Sequence, residues 1–232
     1  MSKKCALVTG SAKGIGKELI KELSKDYNVV IVYNKSKKEA YELYDSIKNI
    51  SDSLVIKCDI TKEDEIKNMV NKVIDKYGKL DLLINNAAYA YDNYIDDKTK
   101  EEFMKVLEVN VVGTFLVTKY FYKYMNNGII VNISSTDAVN TYSNISMDYS
   151  SSKAAVNSLT KTFALEFKNI KVIGVMPNWT RTESIMLMNQ DYLQSELKRI
   201  GQNRLSEPSE VAKNIIKLID DKNIKSGDII EV

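Results

Sequence analysis

A tyrosine four residues ahead of a lysine can move a proton, and this chain contains no histidine for that task. On a helix, residues four apart share a face, so the phenol and the ammonium can point into one cleft. A nearby cation lowers the pKa of a tyrosine from about 10 toward the range of a general base. The spacing occurs four times, at Tyr33/Lys37, Tyr44/Lys48, Tyr94/Lys98 and Tyr149/Lys153.

The position of each pair in the predicted elements distinguishes surface pairs from a pair that could be catalytic. The first pair straddles a strand end, the second lies on an outer amphipathic helix, and the third falls in an irregular acidic stretch. Only Tyr149/Lys153 opens a helix shortly after an apolar strand that ends in two serines, Ser134 and Ser135. We therefore interpret this pair as the catalytic one, and either serine could project into the same cleft.

Short apolar runs alternate with longer amphipathic runs along the whole chain. Continuous apolar strands between helices indicate a parallel sheet that is covered on both faces. We predict an α/β fold, a single doubly wound Rossmann-type domain over residues 1–232 with a parallel seven-stranded sheet and helices on both faces. The predicted strands lie near 4–10, 28–33, 53–60, 79–87, 128–135, 170–177 and 228–232. The predicted helices lie near 14–26, 37–50, 66–77, 100–126, 149–168 and 207–220.

Composition argues against several classes of protein. The formal net charge of +2 over 232 residues suggests neither nucleic acid nor an anionic membrane as a partner. Cys5 and Cys58 are isolated, so we predict neither a metal site nor a disulfide framework. No apolar stretch approaches the roughly 20 residues of a membrane helix, and the first residues do not resemble a signal peptide, so we expect a cytoplasmic protein.

A glycine-rich loop follows the first predicted strand. Gly10, Gly14 and Gly16 would allow a tight turn, close backbone approach and helix–strand packing, while the helix N-terminus offers free N–H groups to a pyrophosphate. The spacing G-x-x-x-G-x-G differs from the common G-x-G-x-x-G, and glycines also end strands for structural reasons. Its place between strand and helix favours a bound dinucleotide.

The residues at the end of the second strand indicate which dinucleotide the chain would bind. A carboxylate there binds the ribose of NAD, but the segment VYNKSKK (32–38) contains no acid, and the next one is Glu39. A 2′-phosphate could instead be received by basic and polar residues, so we expect NADP(H), with NAD(H) less favoured. The alternative is that these lysines form a solvated turn. The candidate phosphate-binding residues are Lys13, Asn34, Lys35 and Ser36.

Six motifs in order resemble the short-chain dehydrogenase/reductase family over residues 4–231. Within that family the chain looks most like the 3-oxoacyl-[acyl-carrier-protein] reductase branch. The motifs are TGSAKGIG (9–16), NNAA (85–88), NVVGTF (110–115), GIIVNISS (128–135), YSSSK (149–153) and MPNWTRT (176–182).

The resemblance implies a role for each matching residue. Tyr149 would exchange a proton with the substrate oxygen, Ser135 would hydrogen-bond that oxygen, Lys153 would hold the nicotinamide ribose, and Asn110 would bind a relay water. The nucleotide would be held by Gly10, Lys13, Gly14, Ile15, Gly16, Asp59, Ile60, Asn86, Ala87, Pro177, Thr180 and Thr182. Asn178 stands where the family usually has glycine, and the chain stops at Val232 without the family's usual glycine-containing tail.

Function and partners follow as expectations. We expect hydride transfer between NADP(H) and a carbonyl or secondary alcohol, with a 3-oxoacyl thioester as one candidate substrate and a homodimer or homotetramer as the assembly. The substrate wall would come from 88–97, 136–147 and the loop at 179–203, part of which we expect to be a mobile lid. Two alternatives are a catalytically silent, redox-sensing NAD(P)-binding protein and an S-adenosylmethionine methyltransferase, although the latter normally has an acid at the end of the second strand.

Overall fold

The computed structural model describes residues 3–232, and within them seven strands form one parallel sheet in the order β3-β2-β1-β4-β5-β6-β7. The predicted fold class is confirmed. Apart from β2, which begins one residue earlier than predicted, each strand is shorter than its predicted range, because the ends of these ranges form loops. The strands are β1 (Lys4–Val8), β2 (Tyr27–Tyr33), β3 (Ser53–Lys57), β4 (Leu82–Asn85), β5 (Ile129–Ile133), β6 (Lys171–Met176) and β7 (Ile229–Glu231).

Nine α-helices lie among the described residues, with a π-helical turn at Glu108–Gly113 and short 3-10 turns at Tyr122–Tyr124 and Thr136–Ala138. They are α1 (Gly14–Leu23), α2 (Lys37–Ile47), α3 (Glu63–Tyr77), α4 (Lys100–Leu107), α5 (Thr114–Phe121), α6 (Met147–Glu166), α7 (Glu183–Met186), α8 (Gln190–Arg199) and α9 (Pro208–Asp220).

Alternate side chains of each central strand enter two separate apolar cores. Ala6 and Val8 pack with helices α1, α2 and α9, whereas Cys5 and Leu7 pack with α3, α5 and α6. Since successive strand residues point to opposite faces, a strand buried on both sides needs a continuous apolar sequence. This is why apolar runs located the strands in the sequence.

Two helical predictions need correction. The helix expected over 100–126 is broken into α4 and α5 by the π-helical turn, which sequence periodicity does not reveal. The loop expected at 179–203 contains α7 and α8, packed into a small apolar cluster with Trp179, Leu193 and Leu197 at its centre. Whether this segment moves stays a prediction.

The order of the strands reverses between β1 and β4, and ligands of doubly wound sheets bind where such a reversal occurs. The loops after β1, β4, β5 and β6 all leave the carboxyl edge of the sheet beside this point. They carry the glycine loop, the NNAA motif, the two serines and Pro177. Within the described part of the chain, no helix has the length and apolarity needed to cross a membrane.

Candidate functional site

The three glycines of the first loop are each required by geometry. Gly10 has φ +62°, and a Cβ there would lie 2.8 Å from the Cα of Ala87. Gly14 has φ +55°, and a Cβ on Gly16 would lie 2.6 Å from the amide nitrogen of Asn86. The loop after β1 therefore lies directly against the loop after β4, at distances that a larger residue would not allow.

Two hydroxyls that the sequence analysis did not single out fix this loop in place. The Thr9 hydroxyl accepts hydrogen bonds from the backbone N–H groups of Asn86 and Ala87, both at 3.0 Å. The Ser11 hydroxyl accepts one from the N–H of Val32 at 3.0 Å. Both residues flank Gly10 and both are buried. The sign of their role in the sequence was their position next to that glycine.

The N-terminus of α1 fits a dinucleotide diphosphate. Its N-cap residue, Lys13, makes no side-chain cap, and the first turn carries no acid. Among the hydrogen bonds of residues 3–232, none is donated by the N–H of Gly14, Ile15 or Gly16. Unpaired N–H groups at the positive end of a helix dipole favour an anion.

Lys13 lies between two carboxylates, at 2.9 Å from Glu39 and 2.8 Å from Glu183. Hydrogen bonds to Glu183 and Glu39 raise the pKa of Lys13 to about 12. Glu39 lies in the first turn of α2, three residues after Ser36, so the first carboxylate after β2 pairs with Lys13. Lys13 also ties α7 to the glycine loop.

The other residues assigned to the adenosine end lie along the same edge. Lys35 is exposed, and the hydroxyl of Ser36 at the N-cap of α2 makes no cap hydrogen bond. Although burial raises the pKa of Asp59, hydrogen bonds from Thr61 and Asn34 hold it below its usual value. Asn34 thus lies close to Asp59, and its contact with a 2′-phosphate stays a prediction.

Ile60 and Pro177 are both buried. A Cβ on Gly113 would lie 2.7 Å from the Cδ1 of Ile60, so Ile60 packs against the π-helical turn. On the other side, the carbonyl of Pro177 accepts a hydrogen bond of 3.2 Å from the N–H of Thr136. The first contact joins the loop after β3 to the π-helical turn, and the second joins the loop after β5 to the loop after β6.

Thr180 and Thr182 hold the start of the segment that covers the site. The Thr180 hydroxyl donates to the carbonyl of Asn178 at 2.8 Å. The methyl group of Thr182 would be 3.4 Å from a Cβ placed on Gly14. The segment after β6 therefore folds back over the glycine loop.

Tyr149 and Lys153 face one another on the first turns of α6. The Lys153 ammonium nitrogen lies 5.4 Å from the centre of the Tyr149 ring and donates to the carbonyl of Ile133 at 2.7 Å. The Lys153 side chain is buried, and burial lowers its pKa to about 8, against the opposing charge of Asp137.

The pKa of Tyr149 is raised in the protein without nucleotide, opposite to the lowering expected from its cationic neighbour. Burial is the main cause, and the charge of Asp137 adds to it. The Ser135 hydroxyl acts in the other direction, while the charge of Asp92 raises the value further. Tyr149 is therefore protonated at neutral pH.

The structure separates the two serines after β5. The Ser134 hydroxyl donates to the backbone carbonyl of Lys153 at 3.1 Å, so it ties the strand to α6. The Ser135 hydroxyl accepts from the N–H of Asp137 at 3.1 Å and lies beside the Tyr149 phenol. Ser135 is thus the serine placed to contact a carbonyl oxygen at Tyr149.

Asn110 lies in the π-helical turn, and its side chain holds the loop after β4. Its Oδ1 accepts from the N–H of Tyr89 at 2.7 Å, and its Nδ2 donates to the Tyr89 carbonyl and to the Ser152 hydroxyl, both at 2.9 Å. These partners position residues around Lys153. The role of Asn110 with a relay water beside Lys153 stays a prediction.

A buried ion pair next to Tyr149 was not foreseen. Lys98, which follows Tyr94 by four residues, lies 2.9 Å from Asp148, with both side chains shielded from solvent. The other oxygen of Asp148 accepts from the N–H of Tyr149 at 2.9 Å. The only sequence signal was an acid directly before the tyrosine, which has no meaning until the fold brings Lys98 to it.

A cleft of about 620 Å³ opens between the segment near residue 93 and the covering helices α7 and α8. Its walls are apolar and aromatic apart from Asp92, Asn93, Ser184 and Asn189. They include Tyr94, Ile145, Leu187, Met188 and Tyr192. These residues come from the three segments predicted as the substrate wall.

Comparison with known sequences identifies the same family that the motifs resemble. Residues 4–193 match the short chain dehydrogenase family. A 3-oxoacyl-[acyl-carrier-protein] reductase of Thermotoga maritima is 35% identical over 241 aligned positions, covering 99% of this chain and 96% of the relative. Glucose 1-dehydrogenase 2 of Bacillus subtilis is 32% identical over 219 positions, covering 90% of this chain and 84% of the relative.

Solved structures are similar over the entire length. A short chain dehydrogenase of Burkholderia cenocepacia in complex with NADP has a TM-score of 0.91 at 26% identity, covering 100% of this chain and 96% of that one. A dehydrogenase/reductase of Sinorhizobium meliloti has a TM-score of 0.92 at 25% identity, covering 100% and 94%.

Proposed function

The chain belongs to the short-chain dehydrogenase/reductase family, and we propose that it reduces a carbonyl compound to a secondary alcohol with NADPH. Tyr149, Lys153 and Ser135 meet at the carboxyl edge of the sheet, beside a glycine loop whose N–H groups suit a diphosphate. That grouping is the observation that carries the proposal.

A bound NADPH supplies the hydride and with it both electrons of the new C–H bond. Tyr149 gives its hydroxyl proton to the carbonyl oxygen, which completes the alcohol, and solvent later restores that proton. Ser135 donates a hydrogen bond to the same oxygen and stabilises the charge that develops on it. Lys153 would hold the nicotinamide ribose and favour the phenolate that remains.

The preference for NADP(H) rests on the adenosine end of the site. Lys13 lies at the N-terminus of α1, and Lys35 and Ser36 follow β2, where no carboxylate stands. A relative of similar structure was solved with NADP. Glu39 opposes this preference, so we infer that a 2′-phosphate replaces Glu39 and Glu183 as the partner of Lys13.

For the substrate, we propose a class of carbonyl compounds and no single compound. A 3-oxoacyl thioester is one candidate, because several relatives at 30–35% identity carry that reductase name, while a glucose dehydrogenase is 32% identical. We also propose a homodimer or homotetramer built on the region of α4, α5 and α6, where Val112, Phe115 and Leu165 are exposed apolar residues.

An absorbance assay with a panel of ketones, acetoacetyl thioesters and NADPH or NADH tests this function. We expect NADPH consumption with at least one carbonyl and slower consumption of NADH. Binding of NADPH without turnover of any panel member would favour the silent, redox-sensing alternative. Failure to bind either nucleotide would reject both hypotheses.

A further inference from the structure

The hydroxyl oxygen of Ser135 is held by the turn that follows it. The backbone N–H of Asp137, the second residue of the 3-10 turn at Thr136–Ala138, donates to that oxygen at 3.1 Å. A hydroxyl oxygen that accepts there cannot direct its own hydrogen toward the same N–H, so the hydrogen stays available for another acceptor. Ser135 is thereby prepared to donate to a carbonyl oxygen at Tyr149.

The side chain of Asp137 anchors this turn from two directions. Its Oδ1 accepts from the Thr141 hydroxyl at 2.6 Å and from the indole Nε1–H of Trp179 at 3.2 Å. Asp137 is only 6% exposed and Trp179 only 7%. Hydrogen bonds to a carboxylate are stronger than those between neutral groups. The turn that holds Ser135 is thus itself held by the indole of a residue 42 positions away.

Trp179 is fixed at its backbone as well as at its ring. The side chain of Gln202 accepts from the N–H of Trp179 at 3.2 Å and donates to its carbonyl at 2.8 Å. The ring lies in the apolar cluster with Leu193 and Leu197 of α8 and with Leu205. Trp179 therefore connects the loop after β5, which carries Ser135, to the helical segment after β6.

Given the proposed carbonyl reduction, on which this inference rests, we propose that Asp137 and Trp179 are positioning residues for Ser135. The indole holds the carboxylate, the carboxylate holds the turn, and the N–H of the turn holds the hydroxyl oxygen where it can donate to the substrate. Tyr149 gives the proton as before. The effect of both residues on turnover passes through Ser135, so neither has to touch the substrate.

A double-mutant cycle tests this route. W179F keeps an aromatic ring in the apolar cluster but has no N–H to donate to Asp137. On a carbonyl that the wild type reduces, W179F should lower kcat by roughly 10- to 100-fold, the scale expected when a reacting group is misplaced. S135A should lower kcat by about 10²–10³-fold, the usual cost of losing one donor to a developing oxyanion.

The decisive comparison is between S135A and S135A/W179F. Because the group that Trp179 positions is already gone in S135A, the second substitution should change kcat little. A merely structural role of Trp179 would give the same fold-loss in both backgrounds. Urea unfolding of each variant gives the folded fraction to which kcat is referred.

Two further variants serve as controls. L197V removes one methylene from the same apolar cluster and none of the hydrogen bonds described above, so its effect on kcat should be equal in the wild type and in S135A. D137N keeps an amide oxygen that can accept from Thr141 and Trp179, whereas D137A keeps none. The kcat of D137N should therefore be clearly higher than that of D137A.

Each outcome has a distinct meaning. An equal fold-loss from W179F in the wild type and in S135A would overturn the positioning role and leave the reductase intact. A kcat of W179F equal to that of the wild type, or a D137N variant no more active than D137A, would overturn it as well. If the wild type reduced no carbonyl, the proposed function would be rejected, and this inference with it.

Discussion

The ammonium of Lys98 and the carboxylate of Asp148 form a 2.9 Å ion pair that is shielded from solvent on both sides. Through Asp148, this pair joins the irregular segment after β4 to the N–H of Tyr149. It therefore fixes the substrate wall and the first turn of α6 to each other. A structural contact of this kind sets where the phenol can point.

Replacing Asp148 by Asn should destabilise the protein strongly. The amide can still accept from the N–H of Tyr149, but Lys98 would be left as an uncompensated buried charge, which typically costs about 3–5 kcal/mol. Urea unfolding measures this loss. D96N, in the exposed part of the same segment, is the control and should change stability little.

The double variant K98M/D148N should recover much of that loss, because no buried charge remains. If D148N and K98M/D148N lost the same free energy of unfolding, the broken ion pair would not be the cause of the destabilisation.

Replacing Glu39 by Gln should strengthen NADPH binding relative to NADH binding. Glu39 shares Lys13 with Glu183, and its charge would repel a 2′-phosphate that approaches the lysine. For such an exposed interaction we expect an effect of roughly two- to fivefold, measured by calorimetric titration at low salt. E42Q, on the same helix, is the matched control.

The K13M variant should instead bind NADPH more weakly, so that its affinities for NADPH and NADH become more similar. Should NADH bind the wild type more tightly than NADPH, the assignment of the 2′-phosphate to this corner is wrong.

Replacing Lys153 by Met should abolish turnover and yet stabilise the nucleotide-free protein. Burial lowers the pKa of Lys153 from 10.5 to about 8, so the folded state carries an unfavourable buried charge at neutral pH. Relief of that burial should add about 1–3 kcal/mol to the free energy of unfolding, even after the bond to the Ile133 carbonyl is lost.

The lowered pKa of Lys153 also makes its effect on stability depend on pH. Between pH 8 and 10.5 the unfolded chain binds a proton at Lys153 that the folded protein lacks, so its contribution to stability rises with pH in that window. The stability difference between K153M and wild type should therefore be largest below pH 8 and shrink toward pH 10.5. A difference independent of pH would contradict the lowered pKa.

The sequence was sufficient for the architecture because strands buried on both faces must be continuous in apolar residues, as in β1, β2 and β6. The glycine loop could also be predicted, since its glycines stand between an apolar strand and an amphipathic helix, although their contacts with Asn86 and Ala87 could not. Resemblance to a family supplied Ser135 over Ser134, and the structure gives a physical reason for the choice.

Contacts between side chains that are far apart in the chain could not be predicted from the sequence. Lys98 and Asp148 are fifty positions apart, and Lys13 meets Glu183 only because the segment after β6 folds back. The direction of the Tyr149 pKa shift depends on burial and on Asp137, neither of which a four-residue spacing reports. The π-helical turn at Asn110 likewise has its neighbours, Ile60 and Tyr89, far away in the sequence.

Turnover by the Tyr149→Phe variant, compared with its NADPH affinity, tests the central claim most directly. Phe keeps the ring over Lys153 but has no proton to give, so the rate on a carbonyl that the wild type reduces should fall by about 10²–10⁴-fold. The dissociation constant for NADPH, measured by calorimetry on the same preparation, should stay near that of the wild type. Turnover near the wild-type rate in Y149F, with NADPH bound normally, would contradict the assignment of the proton donor.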